Sequence, residues 1–193
     1  AKHYIDFSME LGRIICITDP AEAAARDERM KTELEASGRV PVPTDKACLG
    51  PGAWCREAGH AGELSVQGVV SKGDQRGRFD DIVGRGWLVI GFGESPRQAL
   101  KASQLDALNQ LNAQFVTLGA FGSACDVEDV NGTYAAWLES INARYLVIRP
   151  DFYVAASAWS ADALQRQLDE LLGQLHLIPA NPVAVSAAIA ASA

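Results

Sequence analysis

The sequence has 193 residues, of which 48% are hydrophobic, and a formal net charge of −7 from 24 acidic and 17 basic side chains. This length suffices for one ordinary domain with an appendage, and the apolar content suffices for a core. The acidic balance argues against a nucleic-acid partner and against an anionic membrane surface, because both attract basic faces. No apolar run reaches the length of a membrane-spanning helix, and the first residues lack the basic region and cleavage site of a signal peptide.

Four cysteines are scattered along the chain, at Cys16, Cys48, Cys55 and Cys125. Their density is too low for an extracellular disulfide framework, so a reducing, cytoplasmic environment is expected. Cys48 and Cys55 share a predicted loop with His60, but their spacing fits no usual zinc pattern and predicts no metal site. Cys125 precedes a run of carboxylates, which disfavour a reactive thiolate, and we expect a buried or unreactive cysteine there.

Residues 3–15 are predicted to form a helix that is apolar on two sides. The members of one stripe follow the spacing of a helix face and are Phe7, Leu11, Ile14 and Ile15. Ile5 and Met9 fall on a different side of the same helix. A helix that is apolar on two sides needs neighbours on two sides, which indicates a missing partner or a missing domain.

A second helix is predicted from Asp19 to about Ser37. Asp19 can cap the helix, Pro20 suits the first helical position, and Gly38 is a typical stop. A stretch rich in Pro and Gly follows and reads as a linker, because long structureless loops are uncommon inside compact domains. The predicted organisation is a helical segment at 1–37, a linker at 38–63, a domain at 64–178 and an Ala-rich tail at 179–193.

The segment 64–178 alternates between strand and helix patterns. A strand is predicted around Leu64 to Val70, followed by a loop from Lys72 to Gly77. The later elements are a strand at 87–92, a helix opened by Ser95 and Pro96, a strand at 115–118, a helix at 132–142, a hairpin of strands at 145–148 and 152–156, and a helix capped by Ser160. This order is typical of an α/β, thioredoxin-like domain, in which helices flank a central mixed sheet.

The turn after the strand at 87–92 is where a thioredoxin-like fold carries its Cys-x-x-Cys pair. Here this turn holds Glu94, Ser95, Pro96 and Arg97, so thiol–disulfide chemistry is not expected there. Gly91-Phe92-Gly93 resembles part of a dinucleotide fingerprint, but Pro96 stands where the third glycine is required. Nucleophile-elbow and zinc-protease motifs do not occur in the sequence. The residues therefore predict no catalytic, cofactor-binding or metal-binding site.

Four segments resemble the C-terminal region of flavin-dependent aromatic-ring hydroxylases of the 3-(3-hydroxyphenyl)propionate hydroxylase type, within the phenol hydroxylase and para-hydroxybenzoate hydroxylase superfamily. They are Met9–Cys16, Ala23–Asp27, Gly77–Gly86 and Val147–Ala155. The most specific parts are Gly-Arg-Phe-Asp-Asp and Arg-Pro-Asp-x-Tyr-Val-Ala. Of these motif residues we expect structural roles, through hydrogen bonds that fix turns, for Gly77, Arg78, Phe79, Asp80, Asp81, Arg149, Pro150 and Asp151.

The resemblance implies that the catalytic body lies upstream of this chain. In that family the body binds FAD, uses NAD(P)H and O₂, and hydroxylates a phenol, whereas the C-terminal domain is thioredoxin-like and takes part in subunit contacts. The chain is then expected to be a non-catalytic domain without cofactors of its own, with the upstream flavin-binding domain as its partner and a homo-oligomer as its assembly. The helix at 3–15 would be the tail of the flavin-binding body.

Two alternatives stay open on the sequence. The first is an autonomous thioredoxin-like interaction module, whose groove binds a partner peptide. The second is a thiol oxidoreductase that uses an unusual cysteine such as Cys125.

Overall fold

The computed structural model describes residues 2–38, 49–50 and 52–178. The chain divides into two compact units, the first ending at Asp45 and the second beginning at Lys46. Cys48, much of the predicted linker and the predicted Ala-rich tail at 179–193 lie outside the described residues.

The first unit contains the two helices predicted for it, α1 (Lys2–Ile15) and α2 (Pro20–Ser37). The predicted cap of α2 is confirmed, because a side-chain oxygen of Asp19 accepts hydrogen bonds from two backbone N–H groups of the first turn, both at 2.9 Å. The guanidinium of Arg26 on α2 donates to the carbonyl of Ile14 at 2.8 Å, which satisfies one of the free carbonyls at the end of α1.

The apolar face of α1 is exposed within its unit. Among residues 2–38, none whose burial is described is buried. The aliphatic, Phe and Met side chains of α1 that are more than a third exposed are Ile5, Phe7, Met9, Leu11, Ile14 and Ile15. Two helices of this length do not form a core between them here, although most of the stability of a short helix comes from packing of its apolar face.

The second unit is built on a mixed sheet, in which the described residues form seven strands. The strands are β1 (Val69–Lys72), β2 (Gln75–Arg78), β3 (Leu88–Phe92), β4 (Gln114–Ala120), β5 (Val127–Asp129), β6 (Tyr145–Ile148) and β7 (Val154–Ala158). Their spatial order is β2-β1-β5-β4-β3-β6-β7. β4 runs parallel to β3 and β5, and the other neighbouring pairs are antiparallel. The order β4-β3-β6-β7, with β6 antiparallel to both neighbours, is the predicted thioredoxin-like arrangement.

Helices cover the sheet on both faces, which creates two apolar clusters. The helices of this unit are α3 (Phe79–Ile82), a 3₁₀ helix (Pro96–Ala99), α4 (Ala102–Gln110), α5 (Thr133–Ser140) and α6 (Ala161–Gln174). The 3₁₀ helix, α4 and α6 pack on one face, and α3 and α5 pack on the other. The sequence places Leu164, Leu168, Leu171, Leu172 and Leu175 at the spacing of one helix face. This predicted stripe of α6 is confirmed, since its first four members are completely buried and Leu175 is half-buried. Among the described residues, no helix is both long and apolar enough to span a bilayer.

The prediction of one helix that begins at Ser95 is wrong in the extent of that helix. Ser95 makes no side-chain capping hydrogen bond, and the 3₁₀ helix that follows it ends at Ala99. Leu100 is extended, and α4 begins two residues later. The break coincides with a tertiary contact, because the side chain of Gln165 on α6 donates to the carbonyl of Ala99 at 2.7 Å. This carbonyl is therefore satisfied without a continuing helix.

Three differences concern strands. The predicted loop from Lys72 to Gly77 contains the start of β2, an exposed edge strand whose polar residues show no apolar alternation. β5 was not predicted, because it has three residues and two of them are acidic. β7 begins at Val154 instead of residue 152, since Phe152 has a φ of +68° and still belongs to the turn.

Residues 52–63, which belong to the predicted linker, pack against the sheet. The backbone N–H of Cys55 donates to the carbonyl of Ala155 at 2.8 Å, and that of Gly62 donates to the carbonyl of Val154 at 2.9 Å. Cys55 is completely buried in the same cluster as α6. This segment therefore covers the outer edge of β7. The predicted domain boundaries themselves stay predictions.

Candidate functional site

The turn after β3 folds back tightly onto its own strand. A Cβ placed on Gly91 would lie 2.3 Å from the carbonyl oxygen of Glu94, so a larger residue at this position cannot be accommodated without movement of the turn. At the other end of the turn, the guanidinium carbon of Arg97 lies 3.9 Å from the centre of the Phe115 ring. The two positions that carry thiols in a redox-active thioredoxin thus hold a carboxylate and a guanidinium. Thiol–disulfide exchange requires a thiolate as the attacking group, which this turn does not contain.

Glu94 belongs to a network of charged and aromatic side chains. A guanidinium nitrogen of Arg144 lies 3.1 Å from the Glu94 carboxylate, and the guanidinium carbon lies 4.9 Å from the centre of the Trp159 ring. Burial raises the pKa of Tyr145 to about 12, and the neighbouring Glu94 carboxylate adds to this rise. The Tyr145 hydroxyl therefore stays protonated at neutral pH and can donate a hydrogen bond.

An open cleft of about 650 Å³ lies beside this network, and we name it the Glu94 cleft. Its lining residues are Phe92, Gly93, Glu94, Ala135, Leu138, Glu139, Asn142, Ala143, Arg144 and Trp159. The sequence predicted the turn but not the cleft, because its walls come from α5, the start of β6 and the residue after β7. Trp159, an aromatic residue between a buried strand and a helix cap, is the signal that could have drawn attention to it.

The described cysteines, Cys16, Cys55 and Cys125, are all free. Cys55 is completely buried, and its thiol donates to a carboxylate oxygen of Glu170 at 2.8 Å. Burial, followed by the Glu170 carboxylate, raises the pKa of the Cys55 thiol to about 12, which keeps it protonated at neutral pH. Cys125 is half-buried and lies 3.1 Å from the carbonyl oxygen of Val127.

Of the three residues weighed for a metal site, Cys48 lies outside the described residues, and the absence of a metal site stays a prediction. His60 contacts the carboxylate of Glu63 at 3.1 Å. Within the described ranges, His, Cys, Asp and Glu side chains form no group of three or more that could hold a metal ion.

The first motif, Gly77 to Asp81, connects β2 to α3. Phe79 is buried, and its ring centre lies 5.2 Å from that of Tyr134 on α5. The Tyr134 hydroxyl donates to the carbonyl of Val66 at 3.1 Å, and burial raises its pKa well above the usual range. Asp80 lies close enough to contribute to that rise. The motif thus packs α3 against α5 on one face of the sheet.

The exposures of the remaining residues of the first motif differ. Gly77 and Asp80 are half-buried, whereas Arg78 and Asp81 are exposed. The carbonyl of Asp80 accepts from the N–H of Gly84 at 3.1 Å. Their structural roles stay predictions.

The second motif, Arg149-Pro150-Asp151, forms the turn between β6 and β7. The guanidinium of Arg149 makes two hydrogen bonds to the Asp151 carboxylate, at 3.1 and 2.7 Å, and lies over the ring of Trp54 with 5.5 Å to its centre. The carbonyl of Arg149 accepts from the N–H of Phe152 at 2.9 Å and closes the turn.

The two motif segments meet at the end of the sheet opposite the Glu94 turn. Arg85 precedes β3, and its guanidinium carbon lies 5.8 Å from the centre of the Phe152 ring. Phe152 holds a left-handed backbone conformation that is unfavourable for a bulky residue. Both segments are recognisable in the sequence, but their contact could not be predicted from it, since the contact depends on the register of β3 with β6.

These features define a thioredoxin-like α/β domain whose turn after β3 lacks the redox thiols. Residues 62–176 match the sequence profile of the family described as the HcaD C-terminal domain, and the chain belongs to this family. The resemblance to flavin-dependent aromatic hydroxylases is confirmed by similarity to their named members.

The chain is 28% identical over 188 residues to a probable NADH-specific resorcinol 4-hydroxylase of Rhodococcus jostii (strain RHA1), covering 96% of this chain and 34% of that protein. It is 28% identical over 180 residues to 3-(3-hydroxy-phenyl)propionate/3-hydroxycinnamic acid hydroxylase 2 of Burkholderia vietnamiensis (strain G4 / LMG 22486), covering 81% of this chain and 33% of that protein. The chain therefore spans about a third of the length of these curated relatives.

Among solved structures, the flavin-dependent monooxygenase PieE in complex with FAD and substrate matches with a TM-score of 0.44 and 21% identity, over 73% of this chain and 24% of that one. A ternary complex of aklavinone-11 hydroxylase with FAD and aklavinone matches with a TM-score of 0.38 and 21% identity, over 57% of this chain and 21% of that one.

Proposed function

We propose that this chain is the C-terminal domain of an FAD-dependent, NAD(P)H-using monooxygenase that hydroxylates phenolic rings. In this proposal the chain performs no chemistry itself and supports assembly with a flavin-binding domain encoded upstream. Family membership and the similarity to named hydroxylases over most of the chain support this reading. We also propose that the whole enzyme is a cytoplasmic homo-oligomer.

The observation that carries the proposal is the exposed apolar face of α1. Phe7 is 47% exposed, Leu11 44% and Ile15 72%. Full burial of one such side chain contributes about 1.5–3 kcal/mol, so a face of several of them is a strong driving force for association. An isolated helix of 14 residues is also marginal in water. A flavin-binding body that packs on this face would satisfy both requirements.

In this proposal FAD and the nicotinamide dinucleotide bind elsewhere, because the described residues nearest to a nucleotide fingerprint do not fit them. The turn nearest to a nucleotide fingerprint has Pro96 where the third glycine is required, and proline provides no N–H to a phosphate. It leads into a 3₁₀ helix of four residues rather than a long helix whose N-terminus could bind a diphosphate. We therefore assign both cofactors to the upstream domain.

The test compares this chain with a longer polypeptide that includes the upstream coding sequence. We expect the longer protein to bind FAD and to oxidise NAD(P)H in the presence of a phenol, and the 193-residue chain to bind no flavin. In the longer protein, Phe7→Lys should lower the melting temperature and the flavin occupancy. Asp6→Lys, one position away on the polar side of α1, is the matched control and should change neither.

Two results would contradict the proposal. One is a flavin absorption band in the purified chain alone. The other is a longer protein in which Phe7→Lys and Asp6→Lys behave alike, because α1 would then have no covering partner.

A second candidate function is an interaction module that binds a partner polypeptide through its groove. The Glu94 cleft favours it, because this concave surface combines a half-exposed indole with charged side chains.

A further inference from the structure

The Glu94 cleft combines an apolar floor with polar walls. Leu138 and Ala143 are buried and form part of the floor, together with the half-buried Phe92. The walls carry Glu139 at the end of α5 and Trp159 after β7. A concave site with an apolar base and a few convergent polar groups is the usual form of a binding site.

Trp159 is exposed to an extent that is unusual for this unit. Among residues 52–178, the large apolar side chains that are more than a third exposed are Leu64, Phe121 and Trp159. Trp159 is 53% exposed and lines the cleft, where Arg144 contacts its ring. Trp and Arg are the residue types that contribute most to binding energy at protein interfaces, particularly in pockets. The indole surface that remains exposed is therefore suited to contact with a partner.

The charges of the cleft favour a cation as its ligand. The charge of Arg144 is compensated by Glu94, whose carboxylate lies 3.1 Å away. Glu139 is exposed and makes no ion pair within the described part of the chain. The cleft therefore has an excess negative charge beside an aromatic ring, which is the combination that attracts an ammonium or guanidinium group.

We propose that the Glu94 cleft binds a basic segment of another polypeptide, with an Arg or Lys side chain that stacks on Trp159 and pairs with Glu139. The formal charge of −7 on the whole chain adds a long-range attraction to such a partner. The proposal goes beyond the proposed support of a flavin domain and does not depend on it, because every residue it uses lies in the second unit.

The experiment measures binding of short peptides to the full 193-residue chain by ¹H–¹⁵N NMR of the tryptophan indole groups. The probe is a blocked Gly-Arg-Gly-Arg-Gly peptide, and its matched control carries citrulline, which is neutral and nearly isosteric with arginine. Trp159→Phe identifies the Trp159 signal. We expect the arginine peptide to shift this signal with saturation, and the citrulline peptide to leave it in place.

Variants of the protein separate the cleft from general attraction to an acidic chain. Glu139→Gln should weaken binding of the arginine peptide about fivefold, as expected for the loss of one charge-assisted contact. Asp106→Asn removes an exposed carboxylate on α4 of the same unit and should change the dissociation constant less than twofold, about the effect of screened long-range charge.

The proposal is overturned by any of three results. The first is a Trp159 signal that does not move at peptide concentrations up to about 10 mM, which would exclude even weak binding. The second is binding of the citrulline peptide that is as tight as binding of the arginine peptide. The third is equal weakening of binding by Glu139→Gln and Asp106→Asn. A folded state of each variant is verified by the unchanged signals of the other indole groups.

Discussion

Helices α1 and α6 have the same length and the same kind of amphipathic pattern, but their surroundings differ completely. Both span 14 residues. Leu164, Leu168, Leu171 and Leu172 of α6 are completely buried, whereas the corresponding stripe of α1 is 36–72% exposed. The periodicity of apolar residues predicts that a helix forms and which face needs cover. It does not predict whether the cover is part of the same folding unit.

The same contrast extends to the two units as wholes. In the first unit, hydrogen bonds such as the Asp19 cap define the helix ends, but no residue whose burial is described is buried. In the second unit, a sheet is covered on both faces and the apolar residues form two clusters. All four tryptophans belong to the second unit, so tryptophan fluorescence reports its unfolding separately from the helicity of α1 and α2.

The largest expected difference is between two leucine truncations at equivalent helix positions. Leu168→Ala removes a completely buried side chain and should lower the free energy of unfolding by about 3 kcal/mol, from lost transfer energy and the cavity left behind. Leu11→Ala, in the exposed stripe of α1, should change it by less than about 0.5 kcal/mol. Urea denaturation followed by tryptophan fluorescence measures both. Equal effects would mean that α1 belongs to the same cooperative unit as α6.

A second pair compares two aspartates that cap helices. Asp129 is 2% exposed, and its carboxylate accepts three backbone N–H groups at the start of α5, at 2.8–3.1 Å. Its replacement by Ala should cost roughly 2 kcal/mol, because buried N–H groups lose their acceptor. Asp19→Ala in the exposed unit should instead reduce the helix signal in far-ultraviolet circular dichroism. The free energy of unfolding measured by tryptophan fluorescence should stay within about 0.5 kcal/mol of the wild-type value. A larger loss of unfolding free energy in Asp19→Ala than in Asp129→Ala would contradict this prediction.

Sequence reasoning predicted those elements in which a local signal and the tertiary fold agree. The cap at Asp19, the stripe of α6 and the turn at Pro150-Asp151 are examples, and so is the strand order of the thioredoxin-like part. It did not predict the break between the 3₁₀ helix and α4. The satisfaction of the Ala99 carbonyl by Gln165 depends on a contact over 66 positions, which no local pattern contains.

The candidate site was predictable to a smaller extent. The turn at Glu94 could be located from the element order, and the missing thiols were evident from the sequence. The cleft beside it depends on Glu139 in α5, Arg144 in the connection to β6 and Trp159 after β7. Their meeting depends on the pairing of β6 with β3 and β7. Likewise, the contact between Arg85 and Phe152 joins two recognised motifs only in three dimensions.

A third pair compares a buried and an exposed cysteine through the pH dependence of stability. The pKa of Cys55 is raised from 9.0 to about 12 on folding. The protonated thiol thus contributes stability that is fully present below pH 9 and is lost as the pH rises towards 12. Between pH 8.5 and 10, the free energy of unfolding of the wild-type chain should fall by about 1 kcal/mol more than that of Cys55→Ala. Cys16→Ala lies in the first unit, whose unfolding the tryptophan signal does not report, and is the control for replacing a cysteine. If the free energy of unfolding of Cys55→Ala falls with pH as steeply as that of the wild type, the tyrosines cause the loss of stability at alkaline pH.

The smallest expected effect concerns two residues with nearly the same positive φ. Gly38 ends α2 with a φ of +67°, where glycine carries no strain, whereas Phe152 has a φ of +68° in the turn before β7. A left-handed conformation costs an L-residue about 1–2 kcal/mol, and the contact of Phe152 with Arg85 returns about 0.5–1 kcal/mol. Phe152→Gly removes both terms and should stabilise the second unit slightly, by about 0.5 kcal/mol.

Phe152→Ala is the matched variant, because it keeps the strain and loses the ring. We expect it to be less stable than Phe152→Gly by about 1 kcal/mol, measured by urea denaturation at constant pH. If the Gly and Ala variants are equally stable, the left-handed conformation of the turn relaxes when the ring is removed. If Phe152→Gly is strongly destabilised, the aromatic ring contributes more packing energy than its half-buried position indicates. In that case the junction of the two motifs would be part of the core, and the contrast with Gly38 would concern packing rather than backbone strain.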